Sequence, residues 1–192
     1  MSDFAFYFKM GWEHIISKDA LDHQLFILAL ACVYAINDIR RVLILVTAFT
    51  IGHSLTLALS VYDIIRFSSK WVEFLIPCTI FITALNNIFQ IRSSAKSAKI
   101  NYYLALFFGL IHGMGFANAI RIMLAKDQTI GLGLFGFNVG LEVGQIFCVA
   151  IILIIGWMFL NVLKIKRRDW IFFLSSGVFA LSVKMALERL PF

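Results

Sequence analysis

Charge is what this chain has least of. Asp, Glu, Lys and Arg make up 15% of its 192 residues, against about a quarter in soluble domains, which excludes a water-soluble globular fold. Cysteine pairing is missing as well: Cys32, Cys78 and Cys148 all sit in apolar runs with no CxxC spacing, so they read as small buried hydrophobes rather than a disulfide scaffold. The opening residues, MSDFAFYFKMGWEHI, lack a basic region followed by an apolar segment and a small-residue cleavage site. No removable signal peptide is expected, and the first spanning helix is expected to target the chain. Low-complexity tracts, internal repeats and linkers are absent too, so residues 1–192 read as a single integral membrane domain. What fills the chain is apolar side chain, at 61% hydrophobic residues and a mean hydropathy of +0.89.

The apolar residues fall in runs at about 21–37, 41–62, 71–91, 102–124, 131–161 and 169–188. A hydrocarbon core about 30 Å thick needs roughly 20 helical residues, so the pattern predicts an all-α, polytopic membrane helix bundle of about six transmembrane helices. The run at 131–161 exceeds one span and is expected to tilt, to project, or to begin as a loop through Gly131, Gly133 and Gly136. The net charge of +6 does not point to nucleic acid, because the Lys and Arg residues punctuate apolar runs, where they follow the positive-inside rule. Nine of them lie in the first, third and fifth loops (Arg40, Arg41, Arg92, Lys96, Lys99, Lys164, Lys166, Arg167, Arg168) and eight on the other side, where most acids also lie. The tight clusters place those three loops in the cytoplasm and both termini on the outer side. Trp71, Trp157 and Trp170 read as interfacial anchors.

An ionisable residue inside a span costs roughly 2.5 to 3.5 kcal/mol even on lenient scales, so one that persists usually faces the bundle interior and has a function. All four histidines lie in or beside the apolar runs: His14 before the first, His23 next to Asp22 at its start, His53 in TAFTIGHSLTLAL and His112 in FGLIHGMGF. Glu142 stands in FNVGLEVGQ with Asn138 and Gln145, at i, i+4 and i+7 on one helix face. His53 and His112 fall at matching depth when both helices run outward, and Asp22 and His23 approach from the outer surface. One histidine in a bundle is more often a packing residue, whereas four with two acids read as a site for Zn, Ni, Co or Fe, since imidazole and carboxylate suit those ions. Asn86 and Asn87 are expected to hydrogen-bond between helices or line a path. Ser54 follows His53, but adjacent helical residues point about 100° apart, so the two cannot act together. His14 and His23 are nine residues apart, about 180° round an unbroken helix, and meet only if the chain breaks between them.

The motifs GxxHI, DHxLFxLAL, TAFTIGHSLTLAL, FGLIHGxGFA and FNxGxExGQ occur here in that order over nearly the whole chain. In this the sequence resembles the HupE/UreJ family of small membrane proteins. The resemblance implies about six membrane helices, residence in the inner (cytoplasmic) membrane and uptake of nickel or cobalt. Carried onto this chain, it names His14, Asp22, His23, His53, His112 and Glu142 as candidate ligands; Asn138, Gln145, Ser54, Asn86 and Asn87 are read from their positions in the spans as supporting polar groups. Hydrogenase-linked members resemble one another in a compact HPxxGxDH segment, whereas here Ile15 to Leu21 separate His14 from Asp22 without proline or glycine, as in a divergent branch.

Three functions fit these residues. The first is transport of nickel or cobalt through a His/Asp/Glu site in the outer half of the bundle. The second is a zinc-type hydrolase or acyl transferase acting on a lipid or lipid-linked substrate, with Glu142 or Asp22 as base. The third is an accessory structural subunit. A metal ion and membrane lipid are the expected partners, and the sequence points to no particular protein partner.

Overall fold

The polar stretch Ser17-Lys18-Asp19 interrupts the first apolar segment, and the chain breaks there. In the computed structural model, which describes residues 3–90, 97–124 and 130–192, helix α1 (Asp3–Ile16) ends just before an extended Ser17 and a 3₁₀ turn, Lys18–Ala20. Helix α2 (Leu21–Ala31) follows, then α3 (Ile39–Val61), α4 (Ser69–Gln90), α5 (Ser97–Leu124), α6 (Ile130–Trp157) with a π-helical turn at Met158–Val162, and α7 (Arg167–Glu188). The described residues contain no strand. Arg92, Lys96 and Lys126, used above for orientation, lie outside the described residues, as do the side chains of Lys99 and Arg121.

Among the described residues, four stretches are long and apolar enough to cross a membrane: Ile36–Val61, Ser69–Phe89, Ile130–Val162 and Arg167–Glu188, with a shorter apolar stretch, Tyr102–Phe116, inside α5. The segment expected to span at 21–37 differs. Its helix has 11 residues and rises about 16 Å, half a hydrocarbon core. It continues instead from α1, which packs lengthwise and parallel on α6, with Phe4 beside Gly136 and Phe8 beside Gly140. Residues 3–31 therefore form one broken element. The loop expected through Gly131, Gly133 and Gly136 is helix from Ile130 onward, and the resulting 33-residue stretch is about 50 Å long, so it must tilt or project.

The two closest helix pairs are parallel and are built on glycine. On α5, a Cβ at Gly113 would collide with the His53 carbonyl and the Thr56 hydroxyl of α3, and on α6 one at Gly140 would collide with the Phe8 carbonyl of α1. Without the hydrophobic effect to drive them together in lipid, membrane helices associate through such close backbone contact. The outward faces carry exposed apolar side chains such as Phe107, Phe135, Ile154 and Phe173, a surface suited to lipid. Trp71 and Trp157 are half-exposed, as anchors would be, but Trp170 is buried against Phe159 and Gly156 and packs rather than anchors.

Candidate metal centre

The break between α1 and α2 is what assembles the site. His14 lies in the last turn of α1 and His23 in the first of α2; the 3₁₀ turn between them removes the half-turn offset, and their ring centroids stand 4.7 Å apart. Gln24 holds the break in shape: its amide donates to the carbonyls of Ile15 at 3.1 Å and Ser17 at 2.9 Å. The Ile15 carbonyl is one that the end of α1 leaves unpaired, and the Ser17 carbonyl also accepts from the Ala20 backbone amide at 3.1 Å. His53 comes from α3, with its ring 6.2 Å from those of His14 and His23. His112 comes from α5, 5.0 Å from His23. The close parallel packing of α3 on α5 at Gly113 brings the last two to the same level.

Hydrogen bonds fix how each ring is presented. Asp22 Oδ1 accepts from the His23 backbone amide at 2.8 Å and pairs with His23 Nδ1 at 3.0 Å, which turns Nε2 inward. His112 Nδ1 pairs with the Phe108 carbonyl at 2.8 Å, so its Nε2 also faces in. A carboxylate or carbonyl behind a ligating imidazole fixes its tautomer and raises its basicity. Among the described residues, six buried side-chain polar atoms have no hydrogen-bond partner: His14 Nε2, His23 Nε2, both ring nitrogens of His53, His112 Nε2 and Asn138 Oδ1. Every one of them is at this centre or, for Asn138, on the adjoining face of α6.

One nitrogen from each of His14, His23 and His53 lies within 4.8 Å of the other two. Nitrogens bound tetrahedrally at 2.0–2.1 Å stand about 3.4 Å apart, so modest ring movement closes the set round one ion. His14, His23 and His112 line a cavity of about 350 Å³ with Asp19, Glu73 and Arg189. His53, 0% exposed, lies behind that wall. Phe26, Phe49 and Phe108 are not among the residues lining that cavity; each about one turn along its helix from His23, His53 or His112, they form a floor under the histidine centre: Phe49 is 5.2 Å and Phe26 5.6 Å from His112, and Phe26 packs on Phe108 at 5.6 Å.

A transition-metal donor set on a broken helix in an apolar bundle agrees with what comparison of the whole chain shows. The family model described as HupE / UreJ protein matches residues 1–188. The chain belongs to the HupE/UreJ family. That family is associated with nickel and cobalt transport. No curated protein and no solved structure matches the chain.

Of the remaining candidates of this HupE/UreJ chain, Asn138 brings its side chain against His53, while Glu142, Gln145, Ser54 and Asn87 bond to other groups. Glu142 accepts from the Thr47 hydroxyl at 2.7 Å and Gln145 from Thr50 at 2.9 Å, a polar ladder between α6 and α3. Asn138 donates to the Leu134 carbonyl one turn back. Ser54 donates to the Thr50 carbonyl at 2.7 Å, which leaves it no role as a nucleophile. Asn87 bonds across to the Ala29 carbonyl of α2 at 2.6 Å, and Asn86 and Asn87 line a cavity of about 20 Å³ beyond Phe26 and Phe108.

Sequence reasoning missed Gln24 and Arg189. Gln24 sits beside the Asp-His pair, but nothing local says that its amide reaches backward. Replacing it with Leu orphans the Ile15 carbonyl, at about 1–3 kcal/mol, takes one of two donors from the Ser17 carbonyl, and frees His14 from His23. Gln24→Leu and Gln24→Glu, neither of which can donate there, should each lower nickel affinity about 10- to 100-fold, in the range of outer-shell losses. Nickel titration of the purified proteins checks this, and unchanged affinity would show that the clasp is dispensable.

Proposed function

We propose that this protein carries a divalent transition-metal ion, nickel or cobalt, across the inner membrane, taking it from the outer side through the cavity onto His14, His23 and His112 and then His53. The observation that supports this reading is the concentration of orphaned ring nitrogens. Five buried imidazole nitrogens without a partner, at about 1–3 kcal/mol each, carry a cost comparable to a domain's whole net stability of 5–15 kcal/mol. An ion offsets that cost. Several loosely spaced ligands rather than one tight cage also suit passage, since a cargo must leave.

The topology that fits this reading has both termini and the cavity on the outer side and the basic loops in the cytoplasm. Onward passage then runs through the Phe26–Phe49–Phe108 floor into the small cavity at Thr83, Asn86 and Asn87. An open mouth above and a closed aromatic floor below describe an outward-facing state.

Liposomes containing the purified protein and a trapped metal-sensitive dye test the proposal. Nitrogen ligands favour Ni²⁺ and Co²⁺ and give little to Mg²⁺ or Ca²⁺. Both transition ions should enter, and tenfold excess Mg²⁺ or Ca²⁺ should not compete. Uptake no faster than in protein-free liposomes would overturn the reading.

The one-sided cavity also fits a metal-dependent hydrolase. Such an enzyme needs a carboxylate free to take a proton from bound water. Asp22 is engaged by His23 and Arg189, and Glu142 by Thr47, so neither carboxylate read as the base is free, although Asp19 and Glu73 also line the cavity; the family and the orphaned ring nitrogens are what favour transport. An accessory subunit would have its histidines satisfied by packing, which these are not.

A further inference from the structure

A cation route should not have a cation at its mouth, yet this one does. Arg189 is the first residue beyond α7 and lines the cavity. Its Nη1 stands 3.5 Å from Asp22 Oδ2, with the Arg189 side chain 34% exposed and Asp22 15%. A guanidinium cannot lose its proton, so its charge can leave the route only by movement of the side chain.

We infer that Arg189 is the resident counter-ion of Asp22 and a displaceable plug, occupying the carboxylate while no metal is present and swinging outward when a divalent ion arrives. The inference rests on the transport reading of the histidine centre and adds to it the step that admits the ion. Three observations carry it. The contact is single and long, at the weak end for an ion pair, and it lies at a cavity wall rather than in the core. Asp22 divides its two oxygens: Oδ1 holds His23 through two hydrogen bonds, while Oδ2 alone faces Arg189. Losing Arg189 therefore leaves the ligand arrangement intact. Finally, the other charged groups lining the same cavity, Asp19, Asp22 and Glu73, are all acids. Arg189 is the one positive charge among those lining residues.

The same geometry sets the sign of the effect. If Arg189 only braced Asp22, removing it would weaken binding. If it competes with the ion for Asp22 and repels it, removing it strengthens binding, because a singly charged group near a doubly charged ion acts strongly at the reduced effective dielectric of a protein site.

Calorimetric titration of the purified full-length protein in detergent with NiCl₂ separates the two. Arg189→Gln should bind Ni²⁺ at least tenfold more tightly than the unmodified protein, and Arg189→Lys, which keeps the charge, should stay within about threefold of it. Arg189→Gln binding equally or more weakly overturns the inference, and so does Arg189→Lys binding as tightly as Arg189→Gln. His53→Ala, measured in parallel, distinguishes the failures. If Ni²⁺ binds and His53→Ala abolishes it while Arg189→Gln gains nothing, only the plug is wrong. If neither the unmodified protein nor Arg189→Gln binds Ni²⁺, the transport reading fails with it.

Discussion

His53→Ala is expected to abolish metal uptake while leaving the fold nearly as stable as before. His53 is the innermost of the four histidines, 0% exposed, and reaches the centre with two unpartnered nitrogens. Without it the ion loses the ligand that draws it past the cavity wall, and affinity should fall by at least about 100-fold, more than the 10- to 100-fold typical of an outer-shell loss. Stability is a separate matter. Emptying the space of a buried ring costs about 3 kcal/mol, but two orphaned nitrogens at about 1–3 kcal/mol each vanish with it, so the metal-free melting temperature should move by only a few degrees. Dye-reported Ni²⁺ uptake in liposomes and a metal-free thermal melt read the two effects. A variant that transports normally would remove His53 from the route, and one that fails to fold would make it a packing residue.

Gly113→Val should have the opposite profile, a large loss of stability accompanied by loss of the site. The added Cβ meets the His53 carbonyl and the Thr56 hydroxyl, so α3 and α5 must separate along a close backbone contact. Backbone cannot give way as a flexible side chain does, which places the cost at or above the usual 1–3 kcal/mol of overpacking. At 2–4 °C per kcal/mol for a chain of this size, melting should fall by about 10 °C. The shift also parts His53 from His112, so Ni²⁺ binding should be lost even at temperatures where the protein remains folded. Gly177→Ala is the control. A Cβ there meets nothing within 4 Å and should leave binding unchanged, with stability unchanged or higher by up to about 1 kcal/mol. Equal melting of the two variants would refute the glycine seam.

Much of the centre is legible in the sequence because lipid makes polar residues conspicuous. His53 and His112 stand alone in apolar helices, and matched depth along two parallel helices is enough to bring each of them against His23. His14 and His23 are legible only conditionally: nine residues on a continuous helix put them on opposite faces, and the structure meets the condition by breaking the chain at Ser17-Lys18-Asp19. Glu142 shows the limit of depth matching. It lies on an interior-compatible face at a plausible level, yet Thr47 of α3 takes its carboxylate, because depth fixes height in the membrane and not rotation about the helix axis.

By itself the sequence determined the apolar character and helical class of this protein and the short set of candidate ligands, since these follow from composition and spacing along the chain, while its ordered motifs carried the family. The tertiary structure alone decided that α1 and α2 form one broken element, that Gln24 clasps the break and that Arg189 faces Asp22 across 167 positions of chain. Those facts depend on which helix faces meet. That choice is made by glycine contacts between helices distant in the chain, and no periodicity within a single helix records it.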